Sequence, residues 1–413
     1  MSDNLKKISE GFFKAAPWFA LIMVFGFTWS HAFFYIGLVG LLTCLSLSPT
    51  NYARLLATTR QPICLLALAL FIFIAVGVTY TSASTDLALF DIKKYRKLLL
   101  IPILLTIFND IKWIKKIFIS YILGALFLII PTILDGFGII TYFDINILNY
   151  RDDSYSNLSL VYWRNHIVHG FHASILYIAS VIIAIHNKKL RILFIVIAGI
   201  LLVDIIFFIN ARTALIATLS VSILLATYYI KSNSLILLIV ACMILTIILT
   251  YNFSEKLENR VNSITTEATE YFNKNNINSS GGNRLHYWLM SIKLFQNAPI
   301  LGNGPGTFRQ ALDNKDNLLN NQPHRHAHNE YLTLASQHGI VGLILFFALV
   351  FQTYKNAISS KSYLTKDIIS FSLLIFLINA LTDSSLHNES EGWTFIILTC
   401  LSSIHRQDQI RII

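Results

Sequence analysis

Charge is what this sequence has least of. Asp, Glu, Lys and Arg make up 13% of its 413 residues, about half the share usual in a soluble protein. That scarcity excludes an intrinsically disordered chain, and also a soluble catalytic domain carried on one anchor. Cysteine is scarce as well. Cys44, Cys64, Cys242 and Cys400 all lie inside apolar runs with no metal or redox spacing between them, so they read as small core residues and a disulfide-stapled scaffold is excluded. A cleavage site is missing too. Lys6, Lys7 and Lys14 precede the first apolar run as in a signal peptide, but no small-residue site follows and a second run begins almost at once. The first run is therefore expected to stay as a span.

What fills the chain instead is apolar: 55% of residues. A membrane-spanning helix needs about 20 mostly apolar residues, so the composition predicts an all-α polytopic membrane protein. Runs fall at 12–29, 31–47, 62–80, 98–108, 117–134, 166–185, 192–209, 213–230, 235–250, 340–354, 367–382 and 393–404, about twelve transmembrane helices, the fourth and twelfth being short. Three parts follow: spans one to nine over 1–251, a long outer loop over 252–339, and spans ten to twelve with a tail over 340–413. With the N-terminus inside, the cytoplasmic segments carry 17 Lys and Arg against seven in the short outer loops, which predicts both termini cytoplasmic and the long loop outside. The basic surplus, 32 against 22, then reflects anionic headgroups and an anionic substrate rather than nucleic acid. Four of the seven outer charges cluster at Lys93, Lys94, Arg96 and Lys97. Either the span count slips by one there or the cluster holds lipid-linked phosphate; the agreement of the later loops favours the second.

The long loop carries the reactive-looking residues. Leu257, Val261, Ile264 and Phe272 have near-helical spacing with charges between them, which predicts an amphipathic helix along the membrane or over a cavity. A second helix is expected to start at Ser279–Asn283 and end before Pro299, with Leu285, Leu289, Ile292 and Phe295 as its apolar stripe. Arg284 stands in its first turn, where a cation opposes the helix dipole, so helix stability does not explain it. LGNGPGTF, from Leu301 to Phe308, offers glycines that let amides approach phosphate, but it matches no nucleotide-binding fingerprint; a structural turn is the favoured reading.

In HRHAHNEYLTLASQHG, His326 and His328 sit two apart before a helix opening near Asn329. A neutral imidazole can take a proton from a sugar hydroxyl at neutral pH; Glu330 either orients it or is itself the base. His-x-His with a carboxylate, His324 and His338 nearby, is a weak metal signal, and no metal or other cofactor is expected. Within the spans, Arg212 lies at the outer junction of spans seven and eight, as an interfacial anchor or a functional cation. Asp204, inside span seven, needs a partner or a wet cavity. His166, His169 and His172 recur every three residues at the outer end of span six. They line a cavity, bind a headgroup or merely sit at the interface; His169 is the one taken forward as a substrate contact.

Three pieces in this order, FINARTAL, GGNRLHYW…PILGNGPGTF and HAHNEYL, resemble the O-antigen ligase and polymerase superfamily, and the topology resembles it over essentially the whole chain. The resemblance implies a periplasm-facing glycosyltransferase of the bacterial inner membrane. Its donor would be an undecaprenyl-diphosphate-linked O-antigen and its acceptor lipid A–core. Neither nucleotide sugar nor metal would be needed, and the transfer would be inverting. It places Arg212 and Arg284 on the donor's diphosphate, which suits a permanently charged, bidentate side chain, and makes His328 the catalytic base. Lys97 matches a basic residue before span four more loosely. Lys93, Lys94 and Arg96 are expected on phosphates of lipid A or the leaflet, and His326, Asn329 and Glu330 among the substrate contacts. A polymerase would use the same donor chemistry. A protein-glycosylating member is disfavoured because the chain ends soon after span twelve. A lipid-glycan transporter is disfavoured because no internal repeat is seen and the polar residues gather at the outer face.

Overall fold

A computed structural model describes residues 3–108, 110–139, 165–209, 211–238, 240–241, 266–267, 269–273, 279–315 and 326–410. Among them there are helices and turns but no strand. The helices are α1 (Asp3–Gly26), α2 (His31–Ser46), α3 (Tyr52–Thr59), α4 (Pro62–Val76), α5 (Thr85–Tyr95), α6 (Leu100–Ile107), α7 (Lys112–Gly136), α8 (His166–His186), α9 (Arg191–Val203), α10 (Arg212–Tyr229), α11 (Ser280–Asn297), α12 (Thr307–Lys315), α13 (Glu330–Ile358), α14 (Tyr363–Asn379) and α15 (Glu389–Ile410).

Seven helices among the described residues are long and apolar enough to cross a membrane: Lys6–Gly26, Pro62–Thr79, Lys112–Gly136, His166–His186, Arg191–Phe208, Arg212–Tyr229 and Glu330–Ile358. The remaining expected spans fall on α2, on the short α6, on α14 and on α15, which do not meet both the length and hydropathy needed alone. The run at 235–250 lies mostly outside the described residues, as do Leu257, Val261, Ile264 and His324.

Helix α8 is the hub. It packs against α7, α9, α10 and α14, and the cause is visible in its small residues. Without a hydrophobic drive between helices in lipid, close approach and interhelical hydrogen bonds hold a bundle together. A Cβ on Gly170 would come 2.6 Å from the Ala214 Cβ and 3.0 Å from that of Ala211; only glycine lets α10 lie this near. Four residues on, the Ser174 hydroxyl accepts from Thr218 Oγ1 of α10 at 2.8 Å. By contrast α9 turns Ile192, Leu193, Ile195 and Val196 outward, the surface a lipid-facing helix requires.

Helix α13 is two segments in one. Gly339 breaks it with φ 60° and ψ −162°, separating Glu330–His338 from the apolar run expected to begin at 340. The break is held by the glycine-rich segment: Ile340 and Val341 donate to Pro299 O and Ile300 O, and Gly304 N donates to Gln337 O at 2.8 Å. The segment is the structural turn expected of it. Gly302, Gly304 and Gly306 all have positive φ, and each amide is spent inside the protein, that of Gly306 on Asp91 Oδ2 at 2.9 Å and Gln337 Oε1 at 2.7 Å.

Helix α11 starts where expected, with Ser279 Oγ accepting from Gly282 N, but its packed face differs. Tyr287 and Met290, backed by Leu294, meet Phe308, Leu312 and Ala327, while Leu289 and Ile292 of the expected stripe are exposed. The helix carries apolar residues on more than one side, and the large aromatic Tyr287 took the inner one. Phe272 is likewise exposed.

Candidate functional site

The site is built where the turn between α14 and α15, residues 380–388, is stitched to the first turn of α13. Glu330 N donates to Ala380 O, and the Asn329 amide donates to Leu381 O at 2.9 Å. Asn329 also caps α13 through its Oδ1, which accepts from Leu332 N at 3.0 Å; an N-cap of this kind satisfies an otherwise orphaned amide. Thr333 Oγ1 meets Ser384 Oγ at 2.9 Å.

Glu330 does not orient His328, and it does not reach an open site. It is fully buried, with Oε2 accepting from Leu386 N at 2.9 Å and His387 N at 3.2 Å and Oε1 facing the Tyr95 hydroxyl at 3.4 Å. A carboxylate beside two backbone amides and a phenol is committed to holding the turn. The carboxylate beside His328 is that of Asp383. His328 Nδ1 lies 3.3 Å from Asp383 Oδ1. Burial alone would raise the Asp383 carboxyl, but contact with His328, the nearby His326 and the Ser384 amide hold it well below the usual carboxylate range. Asn388 Nδ2 donates to its other oxygen at 2.9 Å.

His328 is the one non-glycine residue with positive φ among the described residues, at 49°, a conformation that costs a β-carbon-bearing residue about 1 kcal/mol or more. The twist turns the imidazole against Tyr287, with which it stacks at 6.2 Å between ring centres, and leaves it partly open at 22% exposure. Arg284 precedes Tyr287 by three residues on α11, so it shares that helix's side with the ring stacked on His328. Arg212 arrives from the other direction. Its neighbour Thr213 shares a 2.6 Å hydroxyl contact with Thr382, next to Asp383. The two arginines and the histidine are thus carried to one end of the bundle by three separate stretches of chain.

His326 lies edge-on to His328 at 4.5 Å and 5.2 Å from the ring of His387. His387 Nε2 is 3.2 Å from Asp91 Oδ1. One ligand atom each from His326, His328 and Asp383 lie within 4.8 Å of one another.

The basic cluster before span four divides. Lys93 and Arg96 are exposed, and Lys94 pairs with Glu389 at 3.5 Å. Lys97 turns inward at 1% exposure, its ammonium donating to Leu386 O at 3.0 Å and to Asn388 O. Burial lowers its pKa to about 8 against the pull of Glu389. It braces the back of the Asp383 turn rather than presenting a cation to an open site. His169 is also enclosed, with Nε2 3.0 Å from Asp204 Oδ2; Asp204 has the partner its position demanded. His172 joins Tyr121 and Ser390, each at 2.8 Å.

Asp91, Asp383 and His387 were missed by sequence reasoning. The available signal was the crowding of Asp383, His387, Asn388, Glu389 and Glu391 between two apolar runs of an acid-poor chain.

Residues 197–347 match the sequence profile of the family described as O-antigen ligase, which supports membership of that superfamily. The matched stretch contains Arg212, Arg284 and His328 and ends before Asp383. No curated protein matches the chain.

Proposed function

We propose, on the O-antigen ligase match together with the site geometry, that this multi-pass membrane protein is an O-antigen ligase. It transfers a glycan from undecaprenyl diphosphate to lipid A–core at the periplasmic face of a bacterial inner membrane. The observation that carries the reading is the meeting of His328 with Asp383, beside the helix face bearing Arg284 and the helix start bearing Arg212.

In this reading Asp383 faces His328 Nδ1 and orients the ring, and Nε2 takes the proton of the acceptor hydroxyl. The hydroxyl oxygen attacks the anomeric carbon of the donor's first sugar from the side opposite the diphosphate. The carbon–oxygen bond to the diphosphate breaks with inversion, and its electron pair leaves on the phosphate oxygen. Arg212 and Arg284 neutralise that charge, the contribution that usually dominates such catalysis. Asp383 stabilises the imidazolium formed on the way. His326 and Asn329 flank the histidine, and exposed Lys93 and Arg96 meet phosphates of lipid A or the leaflet. Lys97 and Glu330 act by holding the Asp383 turn.

The test uses purified protein in detergent with a lipid-linked O-glycan donor, lipid A–core acceptor and EDTA. A glycan ladder on lipid A that disappears in Arg284→Ala and His328→Ala is the expected result. Longer donor chains with untouched lipid A would make the protein a polymerase. Donor binding without either product would point to transport.

A further inference from the structure

We infer that His169 and Asp204 are positioning residues that set Arg212 against the donor's diphosphate; the inference rests on the function proposed above. Both side chains are fully buried, with His169 Nε2 3.0 Å from Asp204 Oδ2. A carboxylate inside a membrane helix is costly and marks function more often than stability. Replacing a buried charged pair by apolar groups is often neutral or stabilising, so packing alone does not account for it. Neither residue touches open space, so any role in transfer must run through another group.

The chain leads directly to Arg212. Asp204 opens a π-helical turn, Asp204–Phe208, at the end of α9. Such turns are rare and concentrate at functional positions. The turn closes with Ile209 N donating to Asp204 O at 2.9 Å, and Arg212 begins α10 three residues later. The opposite side of the same junction rests on α8. An added Cβ on Gly170, the residue after His169, would meet Ile209, Ala211 and Ala214. His169 Nδ1 in turn faces Thr132 Oγ1 of α7 at 3.4 Å. Two helices, α7 and α8, therefore hold the π-turn through one imidazole, and the π-turn sets the angle at which α10 starts. Asp204 Oδ1 has no hydrogen-bond partner among the described residues, and its Oδ2 faces His169.

The experiment measures the affinity of undecaprenyl diphosphate for the detergent-purified full chain carrying Arg212→Ala, Asp204→Asn, or both. Arg212→Ala weakens binding, and Asp204→Asn does so by about tenfold. In the Arg212→Ala background, Asp204→Asn costs nothing further, because the group it positions has gone. Losses that multiply, or a folded Asp204→Asn protein with unchanged affinity, would overturn the inference. Unchanged affinity in Arg212→Ala would instead overturn the proposed function. Should Asp204→Asn not fold, the double replacement His169→Leu with Asp204→Leu removes the buried charge and keeps apolar bulk. It is expected to melt no lower than the native protein yet lose donor affinity, and retained affinity would again overturn the inference.

Discussion

His328 and Asp383, separated in the sequence by helices α13 and α14, meet at 3.3 Å between Nδ1 and Oδ1. In the proposed transfer this contact orients the imidazole. Asp383→Asn is isosteric but cannot hold the same tautomer or stabilise an imidazolium. Turnover should fall by about 10²–10⁴-fold with donor affinity nearly intact, read from a transfer assay alongside equilibrium binding. An equal loss in both would mean that Asp383 shapes the donor pocket.

Lys97 gives a pH dependence with a definite sign. Its pKa falls from 10.5 to about 8 in the folded protein, so between those values the native state binds fewer protons than the unfolded one. Folding stability from this group therefore rises as pH climbs through that window, and its burden is fully present below about 8. The difference in Tm between the native protein and Lys97→Met, followed from about pH 7 to about pH 11, should shift in favour of the native protein as pH rises. A difference constant with pH would show that Lys97 keeps its ordinary pKa.

A transition ion should act as an inhibitor. His326, His328 and Asp383 offer three ligand atoms within 4.8 Å, and an ion held there would occupy the imidazole that the proposed transfer uses. Micromolar Zn²⁺ is expected to slow transfer and EDTA to restore it, with calorimetric zinc affinity lowered in Asp383→Asn. Zinc affinity unaltered by that change would place the ion elsewhere.

Gly306→Ala should destabilise the fold. Its φ of 82° is unfavourable for alanine, and the new Cβ would lie 2.8 Å from Ala88 N. A loss of about 1–3 kcal/mol is expected, visible as a lower Tm in detergent. An unchanged Tm would mean that the glycine-rich segment detaches from α5 at little cost.

Much of this was legible in the sequence because the bilayer demands it. Long apolar runs become helices wherever they occur, so α1, α4, α7, α8, α9, α10 and the second half of α13 stand where hydropathy put them. The Ser279 cap of α11 and the structural use of LGNGPGTF were likewise local matters. Partnerships between distant segments were not legible. Nothing near His328 in sequence points to Asp383; Glu330, two residues away, is the nearer carboxylate, but its Oε2 accepts from Leu386 N and His387 N. Lys97 reads as a membrane-facing cation, but Gly392 makes room for it inside: a Cβ there would clash with the lysine Nζ. The wrong face of α11 was favoured because Tyr287 counts for little in a stripe of aliphatic residues and for much in packing area.

Asp91 has a second consequence. Its two oxygens reach separate stretches of chain, one accepting from Gly306 N and the other facing His387. Residues 252–339 are therefore not an exchangeable cassette. A chimera that imports them from a protein matching the same family profile would set a foreign backbone against Asp91 and a foreign histidine against Asp383. Grafts that carry 81–97 and 380–391 along with the loop keep those partners together, and only they should move acceptor choice from one protein to the other.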